Sequence, residues 1–213
     1  MCRGPAEPSY RSCYPCNEHT RASRSLADAI FPIAYCAKGG QHYEDLKRYK
    51  NPPIVPLAGA RLRGVTENFL ERHLACLAHA AGGKLTHLAV VPSTRRGGPH
   101  PLSEILGIAD QVIDGIGANP DHARRFSADT FTTSWQADLR YPARVLLFDD
   151  TWTTGASLQS FAHTLKQAGA TSVVGLVLGR LINWDYLPAR PIFKSIKDVP
   201  FDVNRCASTT CRA

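Results

Sequence analysis

The chain has 213 residues and a mass of 23.3 kDa, and 44% of its residues are hydrophobic, enough for one substantial core with a small appendage. No run of ~18 apolar residues is present to cross a bilayer, and no apolar signal segment follows the first basic residue, so a soluble cytoplasmic protein without a membrane partner is expected. Lys and Arg number 25 against 18 Asp and Glu, giving a net charge of +7 and a pI near 9.2, which favours anionic partners. Phosphorylated metabolites and nucleic acid both qualify on charge. The basic residues are spread along the chain, with no block of like charges to mark a nucleic-acid tail.

Residues 1–25 read as a loop-like, cysteine-bearing segment ending in the linker-like Arg21-Ala-Ser-Arg-Ser25. Seven cysteines, an odd number without a secretory signal, argue against a disulfide framework. Cys13-x-x-Cys16 has zinc-knuckle spacing with Cys2 upstream, and together they make most of a small zinc ribbon. Tetrahedral zinc wants four ligands, and a second Cys-x-x-Cys would need its first cysteine before Met1. Cys36, Cys206, Cys211, His19 or chain upstream of Met1 could supply the fourth; the alternative is an incomplete knuckle that holds no metal. Cys76 falls in a helical pattern and reads as a small buried apolar residue.

Ile30 to Cys36 is expected as a short strand, and Gln41 to Lys50 as a polar helix with Tyr43, Leu46 and Tyr49 along one face. Leu57 to Ala81 is a long helix candidate with Leu62, Val65, Phe69, His73 and Leu77 on one stripe, where His73 reads as a packed histidine, and Gly82-Gly83 ends it. Further strands are expected over Thr86 to Val91, Val145 to Phe148 and Ser172 to Leu178, separated by helical segments. This alternation predicts an α/β domain with a mainly parallel sheet flanked by helices. Residues 110 to 142, broken by Gly115, Gly117, Asn119 and Pro120, carry no clear pattern.

Two loops carry chemistry. Val145-Leu-Leu-Phe-Asp-Asp-Thr-Trp-Thr-Thr-Gly-Ala-Ser157 is an apolar strand followed by paired carboxylates and a hydroxyl- and glycine-rich turn. Parallel sheets bind ligands at the carboxyl ends of their strands. Asp149 and Asp150 suit the two hydroxyls of a vicinal diol or a magnesium ion carrying phosphate. Thr153, Thr154 and Ser157 offer hydroxyl donors, and Gly155 is expected to let the backbone approach an anion. A helix with Leu158, Phe161, Ala162, Leu165 and Ala168 at helical spacing starts at this loop, so its first N–H groups face the same anion, and Gly169 stops it. The second loop, Ser93-Thr94-Arg95-Arg96-Gly97-Gly98, also follows an apolar strand, and its arginines can donate forked hydrogen bonds to diphosphate oxygens.

The first loop resembles the phosphoribosyl diphosphate (PRPP) motif of type I phosphoribosyltransferases. Together with the cysteine-rich start, Tyr35-Cys-Ala-Lys38 through Lys50, and Pro99-His100-Pro101-Leu102, nearly the whole chain is similar to the ComF-like, competence-associated phosphoribosyltransferases, which carry an N-terminal zinc ribbon. The resemblance implies a partial zinc-ribbon-like segment over 1–25, with Cys2, Cys13 and Cys16 as zinc ligands, and a phosphoribosyltransferase-like α/β domain over 26–213. It implies catalytic roles for Asp149 and Asp150, a PRPP ribose and 5′-phosphate grip from Asp149 through Thr151 and from Thr153, Thr154, Gly155, Ala156 and Ser157, and a diphosphate grip from Ser93, Thr94, Arg95 and Arg96. The implied activity is a magnesium-dependent displacement of diphosphate from PRPP by a nitrogen nucleophile such as a nucleobase. The alternative is a non-catalytic PRPP or nucleotide binder, or a DNA-uptake accessory protein. Trp152 interrupts the loop, either packing over the site or leaning on the sheet. Lys38, Lys47 and Lys50 read as a solvated basic face that can approach phosphate. Trp184 and Tyr186, within Leu181 to Pro191, are the candidates for stacking on an acceptor base, with structural packing the competing role.

Overall fold

The structure is a computed structural model, and it describes residues 12–94, 100–117 and 125–206. In chain order the helices are α1 (Tyr14–Ala22), α2 (Gln41–Arg48), α3 (Pro56–Ala80), α4 (Pro101–Ile105), α5 (Ala156–Gln167) and α6 (Arg190–Ile196). The strands are β1 (Ala29–Cys36), β2 (His87–Val90), β3 (Val112–Ile113), β4 (Ile116–Gly117), β5 (Phe131–Thr132), β6 (Arg144–Trp152) and β7 (Ser172–Leu181). Five of the strands form one parallel sheet in the order β1-β7-β6-β2-β3, and β4 and β5 pair antiparallel beside it. The expected α/β class with a parallel sheet flanked by helices is the architecture observed.

Strand alternation explains how the sheet is covered on both faces. Along β6, Val145 and Leu147 face one core with Leu158, Phe161 and Leu165 of α5. Leu146 and Phe148 face the other core with Leu62, Phe69 and Leu77 of α3. β7 contributes Val173 and Val177 to the first core and Val174, Leu176 and Leu178 to the second, so the central strands are continuous apolar runs. Pro32, which cannot donate to a ladder, sits on β1, the edge of the sheet.

Two elements differ from the sequence expectation. Residues 14–22 are helical where a loop was expected: Pro15 stands in the first turn, Thr20 Oγ1 donates to the Cys16 carbonyl at 3.1 Å, and Cys13 and Cys16 are buried against the α5 side of the core. A helix that docks through two small thiols leaves no apolar stripe to read. β6 also runs on to Trp152 instead of stopping at Phe148, because β7 reaches Leu181 and offers partners to the end, with Thr151 opposite Gly179 and Trp152 opposite Arg180. The connecting turn is therefore Thr153 to Gly155 alone. Part of the patternless region 110–142 resolves into β3, β4 and β5.

Candidate functional site

The topology creates a crevice. β2 continues outward to β3 on one side, whereas β6 continues through α5 to β7 on the other, so the chain leaves these neighbouring strands in opposite directions. Such a switch point at the carboxyl ends of parallel strands is where open α/β sheets bind ligands. The ladder between the two strands ends at Val90 opposite Phe148, with the Val91 N–H donating to the Phe148 carbonyl at 2.9 Å. From Asp149 onward β6 is paired only with β7. Asp149 and Asp150 thus stand at the point where the two strands part.

The carboxylates have different surroundings. Asp150 is buried, 5% exposed, and accepts a hydrogen bond from Tyr49 Oη at 2.5 Å and an ion pair from Lys50 Nζ, while His100 Nε2 lies 4.0 Å from the same oxygen. Burial pushes its pKa up, but Lys50, then His100 and the Tyr49 hydroxyl outweigh that and hold it below the ordinary carboxylate value. Asp149 is raised to about 8, first by desolvation and then by the charge of Asp150, with Lys50 only partly offsetting them. One carboxylate is held ionised and its neighbour is held protonated near neutrality, the pattern that separates acid and base roles or that a bound cation relieves.

The turn after β6 is held from below. Gly155 has φ +83°, in the left-handed region, and a Cβ there would fall 2.0 Å from the Trp152 ring. Any side chain here would therefore meet both a strained backbone and the tryptophan beneath it, a steric demand the sequence did not show. Trp152, 1% exposed, lies under the turn and against the core. Buried Arg180 donates from Nη1 to the carbonyls of Thr153 at 2.7 Å and Trp152 at 3.2 Å, fixing the turn, and its guanidinium lies 5.9 Å from the Trp152 ring. Thr154 Oγ1 accepts from the Ala156 N–H at 3.4 Å as α5 begins, so Ala156 and Ser157 open a 12-residue helix whose positive end faces the crevice.

Across the crevice, Ser93 and Thr94 follow β2, and their backbone packs on Gly117 of β4, where a Cβ would lie 2.7 Å from the Ser93 carbonyl oxygen. Arg95 and Arg96 lie outside the described residues. His100 starts α4, its Nδ1 accepting from the Leu102 N–H at 3.1 Å, which leaves the ring proton of the neutral form on Nε2, toward Asp150. Of the expected basic face, Lys47 pairs with Glu44 at 3.6 Å and Lys50 turns inward to Asp150. Trp184 and Tyr186 remain nearly half exposed, the former edge-on to Phe193 with centroids 4.7 Å apart.

Tyr49, His100 and Arg180 are site residues that the sequence reading did not assign to the site. Tyr49 read as a core-facing position, His100 as part of a family pattern, and Arg180 as a residue beyond a strand. Nothing local marks Tyr49 and Lys50 as partners of Asp150, since about one hundred positions separate them.

For metal ligands, Cys2 lies outside the described residues, and Cys13 and Cys16 are both buried. Among the described residues, the donor atoms that gather as a group of three are those of His73, Cys76 and Cys206, all within 4.8 Å of one another. No helix among the described residues is long and apolar enough to cross a membrane.

Fold and side chains together define an α/β protein with converging charged groups at a strand switch point. No family model matches the chain, and no characterised protein or solved structure is detectably similar to it.

Proposed function

We propose that the protein is a type I phosphoribosyltransferase-like enzyme that binds PRPP with magnesium and transfers the phosphoribosyl group to a nitrogen nucleophile. The observation that carries this reading is the crevice itself: the hydroxyl turn after β6 and the Ser93-Thr94 loop after β2 flank one switch point, with Asp149 and Asp150 at its base. On this reading the first N–H groups of α5 and the hydroxyls of Thr153, Thr154 and Ser157 hold the 5′-phosphate. Asp149 and Asp150 accept from the ribose hydroxyls. Magnesium arrives with the substrate as the counter-ion of its phosphates, and the donor set fits such a guest, because a cation close by would relieve the cost of ionising Asp149.

Ser93, Thr94, Arg95 and Arg96 hold the diphosphate. Lys50, already in the crevice on Asp150, is a second cation within reach of the departing charge. The acceptor nitrogen forms a bond to the anomeric carbon as the carbon–oxygen bond to diphosphate breaks; the electron pair leaves with diphosphate, and the acceptor's proton is released to solvent. Most of the acceleration comes from positioning and charge neutralisation, so the protein needs no nucleophile of its own.

The test is a calorimetric titration of PRPP into the protein with and without magnesium, followed by release of diphosphate in the presence of purine and pyrimidine bases. Saturable, magnesium-dependent binding that is lost in Asp149→Asn, with diphosphate release, supports the transferase. Binding without release for any base would leave a PRPP sensor. No binding would overturn the site assignment.

A further inference from the structure

We propose that His73, Cys76 and Cys206 bind a zinc ion that fastens the C-terminal tail to α3. His73 and Cys76 are three positions apart and so share one face of α3. Cys206 comes to them from the far end of the chain. Their donor atoms all lie within 4.8 Å of one another. Imidazole and thiolate ligands at about 2.0–2.3 Å from one zinc ion are about 3.3–3.8 Å apart, so the cluster closes on a metal by small side-chain rotations. An imidazole and two thiols with no carboxylate among them select zinc over magnesium or calcium.

Two observations separate this cluster from a chance meeting of side chains. His73 is fully buried, and its Nε2 lies 2.7 Å from the Val203 carbonyl oxygen. A proton on Nε2 donated to that carbonyl leaves the lone pair on Nδ1, the arrangement that orients a metal-binding histidine from its far side. The carbonyl belongs to the tail that also carries Cys206, so one segment supplies both a ligand and the group that orients another ligand. The tail is registered on α3 independently by Arg72, whose Nε donates to Asn204 Oδ1 at 2.9 Å. A water molecule completes four-coordinate zinc where three protein ligands hold it.

The consequence reaches beyond the metal. Val199, Phe201, Arg205 and Cys206 of the tail form one wall of a cavity of about 820 Å³ whose other walls come from β1, α2 and α3. A metal at Cys206 holds that wall in place. Removing it would release the tail and open the cavity along the β1 edge.

The experiment is metal analysis of the full-length protein, purified without chelator, as wild type, Cys76→Ala, Cys206→Ser and the Cys13→Ala/Cys16→Ala double variant. Cys76→Ala and Cys206→Ser should each carry one equivalent of zinc less than wild type, while the double variant keeps that equivalent. Unchanged zinc in the first two overturns the proposal. Should those variants fail to fold, alkylation of the wild-type protein decides it: Cys76 and Cys206 should be protected from iodoacetamide and become reactive when a chelator is added. Equal reactivity with and without chelator, or a Cys76–Cys206 disulfide in the intact mass, overturns it.

Discussion

The crevice beside Asp149 and the cavity along the β1 edge are built on opposite principles. The crevice concentrates charge: Asp150, Lys50, His100 and Arg180 converge where β2 and β6 part, and each is held by a named hydrogen bond or ion pair. The cavity, about 820 Å³, is bounded by β1, α2, α3 and a tail; of the four charged groups on its walls, Asp45 and Arg61 pair with each other at 3.2 Å, and Asp202 and Arg205 come from the tail. Volume marks where apolar elements meet imperfectly; converging charge marks where a polar ligand is stabilised. In this molecule the two do not coincide, and the proposed function rests on the charge.

That contrast is breakable by substitution. The largest effect is expected at Asp149. Its folded-state pKa is raised to about 8, so the native state holds its proton more tightly than the unfolded chain does, and that stability, fully present below pH 4, is lost as pH rises through about 8. Asp149→Asn should match wild type in stability near pH 4 and exceed it increasingly toward pH 8, by an amount on the order of several kcal/mol, while losing PRPP binding. Parallel wild-type and variant unfolding curves across that range would contradict the assignment.

Asp150→Ala should act in the other direction. It leaves the buried ends of Lys50 and Tyr49 without their common acceptor and should destabilise by roughly 3 kcal/mol, toward the low end for a broken buried pair because Lys50 keeps 25% exposure. Asp150 is thus a structural anchor, whereas the sequence presents it only as a charge aimed at a ligand. Denaturant titration measures the cost, and a loss below about 0.5 kcal/mol would make the ion pair a surface one.

Gly155→Ala should cost about 2 kcal/mol or more, combining a left-handed backbone with collision against Trp152. The same exchange in a Trp152→Leu background should recover the collision part and keep the backbone part, which a double-mutant cycle reads directly. His100→Ala removes the cap on Leu102 and should cost about 1 kcal/mol. Trp184→Ala, on an aromatic that is nearly half exposed, should stay within about 0.5 kcal/mol of wild type in thermal unfolding. A larger loss would make the segment after β7 part of the folded core.

Much of the fold was legible because it rests on local patterns. The apolar runs at 30–36, 145–148 and 172–178 read as buried strands, and the stripe from Leu62 to Leu77 reads as one face of a long helix, as observed. α1 was not legible, since Cys13 and Cys16 bury it without an apolar period. Gly155 was legible as a special position, but the steric part of its role was not: the sequence cannot show that a tryptophan three residues earlier folds back beneath it.

By itself, the sequence determined the α/β class, the two loops at strand ends and the acidic pair, because period, turn chemistry and charge act over a few residues. Only the tertiary structure decided that Asp150 is anchored by Tyr49 and Lys50 from α2's end, that Arg180 carries the turn, and that His73 and Cys76 meet Cys206. Those pairings join residues tens to more than a hundred positions apart, and their partners are chosen by strand order and helix packing, which no local spacing records.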